Sequence, residues 1–211
     1  MESIDYIKKK YNDIMARSFS TKLEIFLFDR AIRNGELSDI SSDEFNRFQI
    51  SEDVTTLYQK AWHLTGKCVL TENGPPMDLI DNLIEQWSNS QTELKLELQR
   101  QYKILFTTDY FPFGEFEKIY DPDPSRRICH YCKISDAEIK KLRSRGKIYS
   151  KVQRGYTMEI DRLMPNHEYS KKNCVLACYW CNNAKTDEFT SKEFEDNVGP
   201  GIGTIWYDRK S

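Results

Sequence analysis

Residues 173–185 read Asn173-Cys-Val-Leu-Ala-Cys178-Tyr-Trp-Cys181-Asn182-Asn-Ala-Lys185, and their meaning depends on an upstream pair, Cys129-His-Tyr-Cys132. A two-residue gap lets both thiolates of one knuckle face a single ion. Two such knuckles, Cys129/Cys132 and Cys178/Cys181, complete a tetrahedral four-thiolate site of the structural zinc type. The competing reading is disulfide pairing among the six cysteines of the chain. Nothing in the sequence favours it. The stretch MESIDYIKKKYNDIM has no apolar core of signal-peptide length, and no run of about 18 apolar residues occurs. The expected setting is therefore cytoplasmic, with no membrane partner, and there thiols stay reduced and metal ligation is favoured. Cys68 and Cys174 stand outside the pairs and read as small buried apolar residues.

A chain of 211 residues, 39% hydrophobic and 13% aromatic, is long enough to bury a core and form one or two domains. The net charge of -2 excludes a polycation, but the charge is segregated. Residues 126–185 hold 14 Lys and Arg against 5 Asp and Glu, a net of +9. Residues 1–125 hold 14 against 22, a net of -8. A basic half beside an acidic half fits one surface that meets phosphate and another that does not.

The acidic half reads as helical. Residues 51–66 open on Ser51 with two acids in the first turn and stop at a glycine, a capped helix. Residues 76–88 put Leu79, Ile80, Leu83, Ile84 and Trp87 on one helical face, and residues 91–107 carry a less regular stripe. Residues 21–34 also read as helix, although Glu-Ile-Phe-Leu-Phe has the look of a strand. His63, among apolar helical neighbours, reads as a packed histidine rather than a ligand. The run Asp121-Pro-Asp-Pro-Ser125 cannot continue a helix and marks a connector. It divides a helical domain, residues 1–120, from a second domain, residues 121–211.

After the first knuckle, Ser135-Asp-Ala-Glu138 is a capping box that opens a short basic helix. The segment 140–154 then carries Lys140, Lys141, Arg143, Arg145, Lys147, Lys151 and Arg154, with Tyr149 among them and no acid. Seven positive charges in that length read as a phosphate-contacting face, with a solvated basic surface as the bland alternative. Lys185 extends this candidate nucleic-acid-binding set.

Residues 156–187 continue Tyr-Thr-Met-Glu159-Ile-Asp161-Arg162-Leu-Met-Pro-Asn-His167-Glu-Tyr-Ser-Lys-Lys-Asn173 and run into the second knuckle. This pattern resembles the HNH endonuclease superfamily, whose unit is a ββα-metal motif, over residues 126–190. The four-cysteine form with asparagine directly after the last cysteine is similar to the phage junction-resolving nuclease endonuclease VII. The resemblance implies an α+β fold: a mostly helical N-terminal region, then a zinc-stabilised ββα-metal domain. It implies that a strand ending near Asp161 and a helix starting near Asn182 face each other. One oxygen from each would hold a catalytic Mg²⁺ or Mn²⁺, with Zn²⁺ as scaffold. Asn173 matches the family asparagine that orients the catalytic side chain through backbone hydrogen bonds.

One position departs from the family. The general base is ordinarily a histidine directly after the aspartate, and here that residue is Arg162, which stays protonated. Arg162 can instead clamp the scissile phosphate or stabilise its charge. Three side chains stand as candidate bases: His167 by its pKa, Glu159 by sharing a strand face with Asp161, and more weakly Tyr169. His130 reads as a structural neighbour of the zinc. The expected function is a metal-dependent endonuclease acting on DNA. The alternatives are an inactive zinc module that binds nucleic acid, and an accessory subunit of a phage-defence or restriction complex. A protein partner or homodimer through the helical half is compatible with each.

Overall fold

Helix α1, Ile4–Asn34, is one continuous helix of 31 residues, because its buried positions recur every three or four residues from Ile7 through Ala31. The Glu-Ile-Phe-Leu-Phe stretch belongs to it. Ile25, Phe26, Leu27 and Phe28 are all buried there while Glu24 stays exposed, so the run is a largely covered turn of helix rather than a strand. Gly35 ends the helix in the left-handed region, φ 69°, with its N–H donating to Ala31 O at 2.9 Å. The computed structural model describes residues 2–62, 74–148, 156–186 and 188–210. His63, Cys68, Tyr149, Lys151 and Arg154 lie outside the described residues.

The chain forms two compact units. The helical unit comprises Asp13–Tyr110 and Asn166–Glu168. It contains most of α1 with α2 (Ser42–Arg47), α3 (Glu52–Trp62), α4 (Met77–Ser90) and α5 (Thr92–Leu105), which runs into a π-helical turn, Phe106–Tyr110. Ser41 and Glu44 form a reciprocal capping box that starts α2. Ile80 and Trp87 of α4 face the core, whereas Leu79 is exposed, so the apolar face is narrower than the sequence stripe suggested. Phe19, Phe26, Phe45, Tyr102 and Phe106 pack edge to face or tilted at centroid spacings of 5.5 to 6.2 Å. Lys22 is buried against this aromatic group. Its ammonium reaches Tyr110 OH at 3.1 Å and Glu168 at 3.8 Å, and burial holds its pKa below the usual lysine value.

The second unit comprises Met1–Asn12, Phe111–Pro165 and Tyr169–Ser211. The proline-rich connector at 121–125 lies inside it, so the units divide elsewhere than the breaker residues indicate. The reason is Arg127, a guanidinium with no exposed surface that gathers the flanking segments. It donates to Asp121 O at 2.6 Å, Tyr120 OH at 3.1 Å, Asp136 Oδ2 at 3.4 Å and Glu2 Oε2 at 2.9 Å. It also lies over the Tyr120 ring at 3.8 Å. The unit contains α6 (Phe113–Ile119), α7 (Asp136–Ser144), strands β1 (Glu159–Arg162) and β2 (Cys174–Ala177), α8 (Tyr179–Lys185), the short α9 (Ser191–Glu193) and α10 (Gly199–Lys210). The strands pair antiparallel with Asp161 opposite Val175 and Arg162 opposite Cys174. No helix is long and apolar enough to cross a membrane among the described residues.

Removing one partner of a buried ion pair leaves the other charge stranded. Arg127→Met is therefore expected to destabilise the protein by about 3–5 kcal/mol, read as a lowered urea midpoint in the zinc-loaded chain. An unchanged midpoint would show that the network carries no net stability.

Candidate active site and metal centre

Each knuckle is shaped by its own backbone. In the first, Cys129 N–H donates to Ile134 O at 2.8 Å and Lys133 N–H to Cys129 O at 3.1 Å, with Lys133 in the left-handed region at φ 61°. In the second, Cys178 caps α8, its sulfur accepting from Cys181 N–H at 3.5 Å. The knuckles are drawn together because His130 N–H donates to Leu176 O of β2 at 2.7 Å, two residues before Cys178. All four Sγ atoms are buried and lie within 4.8 Å of one another, with Cys132 and Cys178 at 3.6 Å. A tetrahedral zinc with Zn–S of about 2.3 Å requires sulfurs about 3.8 Å apart, so the donor set and its spacing fit the ion. Four thiolates so close and so dry repel one another strongly, and a divalent cation relieves that repulsion.

Helix α10 covers this cluster through glycines. A Cβ at Gly203 would lie 3.0 Å from Cys132 O, and one at Gly199 would lie 2.9 Å from Tyr131 Cβ. Trp206 of α10 meets Trp180 of α8 edge to face at 4.6 Å.

The cluster sets where α8 begins, and α8 lies along β1. Asn182 Nδ2 donates to Glu159 Oε2 at 2.6 Å. One helical turn on, Lys185 Nζ donates to Arg162 O at 2.6 Å and stands 3.4 Å from Asp161 Oδ2. Tyr131 OH donates to the same Asp161 oxygen at 2.6 Å. Glu159, Asp161 and Asn182 thus share one seam, the two acids on one strand face and the amide on the facing helix. The Asp161 residue is only 8% exposed. Burial pushes its carboxyl above the ordinary aspartate value, against the opposing pull of the Tyr131 hydroxyl and the Lys185 ammonium. With its N–H given to Glu159, the Asn182 amide turns its carbonyl oxygen elsewhere, and a carboxylate with a carboxamide oxygen is a hard-donor set suited to Mg²⁺ or Mn²⁺.

Asn173 clamps the loop after β1. Its Oδ1 accepts from Met164 N–H at 2.8 Å and its Nδ2 donates to Met164 O at 3.1 Å, while Leu163 N–H donates to Asn173 O at 2.8 Å. Arg162 points to the opposite strand face from Asp161, its guanidinium 4.8 Å over the buried Tyr169 ring. His167 belongs to the segment Asn166–Glu168 of the helical unit. His130 approaches Glu195 at 3.5 Å beside the zinc cluster.

Of the basic candidates, Lys140, Lys141, Arg143, Arg145 and Lys147 are exposed on and just after α7, with Arg143 stacked on Tyr156 at 3.5 Å. Lys185 does not join them. It is 1% exposed and turned inward to Asp161, so phosphate cannot reach it. Tyr131 is the member of the site that sequence reasoning missed, because its place between two zinc ligands gives no sign that its hydroxyl reaches a strand 30 residues on.

Purified chain is expected to carry one zinc by elemental analysis, and Cys181→Ser to lose it together with the α8 start, seen as lost helical circular dichroism. Retention of both in Cys181→Ser would exclude the four-sulfur site.

No family model matches the sequence, and no curated protein does. Among solved structures, the chain is similar to the rare-cutting HNH restriction endonuclease PacI, whose structure was described for its mechanism of DNA perturbation. The similarity is 29% identity over 47% of this chain and 67% of that one, with a TM-score of 0.40. Two short antiparallel strands, a helix and four converging cysteines give the second unit the arrangement that the sequence resemblance implied, that of an HNH-type zinc domain.

Proposed function

We propose that the protein is a metal-dependent HNH-type endonuclease that hydrolyses phosphodiester bonds in DNA. The observation that carries this reading is the seam of β1 and α8, where Asp161, Asn182 and Glu159 stand together under a four-sulfur scaffold. In it Asp161 and Asn182 would hold one Mg²⁺ or Mn²⁺, which when bound would neutralise charge building on the phosphate. Glu159 fixes the Asn182 amide through its N–H, which would leave the carbonyl oxygen for the cation. Asn173 holds the loop after β1 in register with β2, so that Asp161 does not drift. The Arg162 side chain, on the opposite strand face and over the Tyr169 ring, takes no part in this seam. Glu159 is the proton acceptor this geometry favours, since it lies on the same strand face as Asp161. The exposed charges of α7 hold the DNA backbone without reading its sequence.

Plasmid nicking by the zinc-loaded chain in Mg²⁺ or Mn²⁺ tests the assignment. Asp161→Ala and Asn182→Ala are each expected to lower the rate by about 100-fold or more while zinc content stays at one per chain. DNA binding without any metal-dependent cleavage by the parent would instead favour the inactive zinc module. For the basic face, Arg145→Ala and Lys147→Ala are each expected to weaken binding uniformly across sequences and to reduce the salt slope by about 1. An unaltered slope would remove the segment after α7 from the interface.

A further inference from the structure

We propose that Tyr131 is a positioning residue for the Asp161 carboxylate, fixing it through Oδ2 so that Oδ1 is the edge presented to the divalent cation; this rests on the endonuclease reading above. Its hydroxyl donates to Asp161 Oδ2 at 2.6 Å, and the Lys185 ammonium approaches the same oxygen at 3.4 Å from a residue that is itself tied to Arg162 O. One carboxylate oxygen is therefore engaged from two directions, and rotation about the Cβ–Cγ bond is stopped. A charge-assisted bond of this length in a dry site is stronger than one between neutral groups.

The tyrosine cannot turn away. Its ring is buried and meets Phe194 and His130 edge to face, each at 5.0 Å. Its Cβ lies against Gly199, where even a methyl group would come within 2.9 Å. Its backbone sits between Cys129 and Cys132, so an ion closing the four-sulfur cluster would also hold the hydroxyl in place. The zinc scaffold and the catalytic carboxylate are thus joined by one side chain. Groups that orient a metal-binding carboxylate ordinarily change metal affinity about 10- to 100-fold when removed.

Mn²⁺ binding to the zinc-loaded full chain, followed by the electron paramagnetic resonance of free Mn²⁺ without nucleic acid, reads this role apart from activity. Tyr131→Phe keeps the ring and is expected to retain zinc while weakening Mn²⁺ binding about 10-fold or more. Phe194→Leu loosens the ring's packing with the hydroxyl intact and is expected to weaken Mn²⁺ binding less than Tyr131→Phe does. Parent-like affinity in Tyr131→Phe, or an equal loss in Phe194→Leu, would overturn the proposal. Asp161→Asn separates the two levels: if it leaves Mn²⁺ binding untouched, the endonuclease site itself is misassigned. If Asp161→Asn abolishes binding and Tyr131→Phe does not alter it, only the positioning role fails. Should Tyr131→Phe not load zinc, a crystal structure of the parent with Mn²⁺ decides. Oδ1 on the ion with Oδ2 still on the tyrosine supports the inference, and an ion seated on Oδ2 overturns it.

Discussion

Two strands of four residues each make a sheet too small to stand alone in water, so something else must hold the second unit's hairpin in shape. The convergence of Cys129, Cys132, Cys178 and Cys181 does this. It joins two segments far apart in the chain, starts α8 at a defined residue and lays the first knuckle along β2 through His130 N–H and Leu176 O. Helix α10 then closes over the cluster on glycines, because any side chain at Gly203 would press on the Cys132 carbonyl. The positions of Asp161 and Asn182 follow from these constraints, since β1 pairs with β2 and α8 begins at the second knuckle.

The electrostatics of the seam are those of a site that keeps charges buried by pairing them. Asp161 is shielded by Tyr131 and Lys185, and Glu159 by the Asn182 amide. Such arrangements cost desolvation energy that a hydrophobic core would avoid, and so they point to chemistry rather than to stability alone. Arg162 stands apart from this pairing, on the opposite strand face from Asp161 and stacked on Tyr169.

The zinc knuckles were legible in the sequence because metal ligation demands specific residue types at specific spacings, and those spacings are local, whereas the ββα order was implied by the family resemblance. Helices α3, α4 and α5 were legible from apolar periodicity, and the α7 and α3 starts from their capping residues. The inward turn of Lys185 was not legible. Its neighbours in sequence mark it as a basic surface residue, and only the approach of α8 to β1 puts Asp161 and a strand carbonyl within its reach. The Arg127 network was hidden for the same reason, since Glu2, Tyr120, Asp121 and Asp136 meet only after folding and carry no motif. That network also holds residues 111–120 and the first twelve residues in the zinc-bearing unit, on the far side of the boundary that the prolines suggest.

By itself the amino-acid order marked the four converging cysteines and the helices of the first half, because knuckle spacing and apolar periodicity are written along short stretches of backbone, while the α+β class and the pairing of Asp161 with Asn182 were implied by the family resemblance. Tertiary structure decided which hydroxyl steadies the Asp161 carboxylate, which lysine is buried and which stays in solvent, and where one unit gives way to the next. Those outcomes depend on which distant segments meet and how much water remains between them, and no local pattern encodes either.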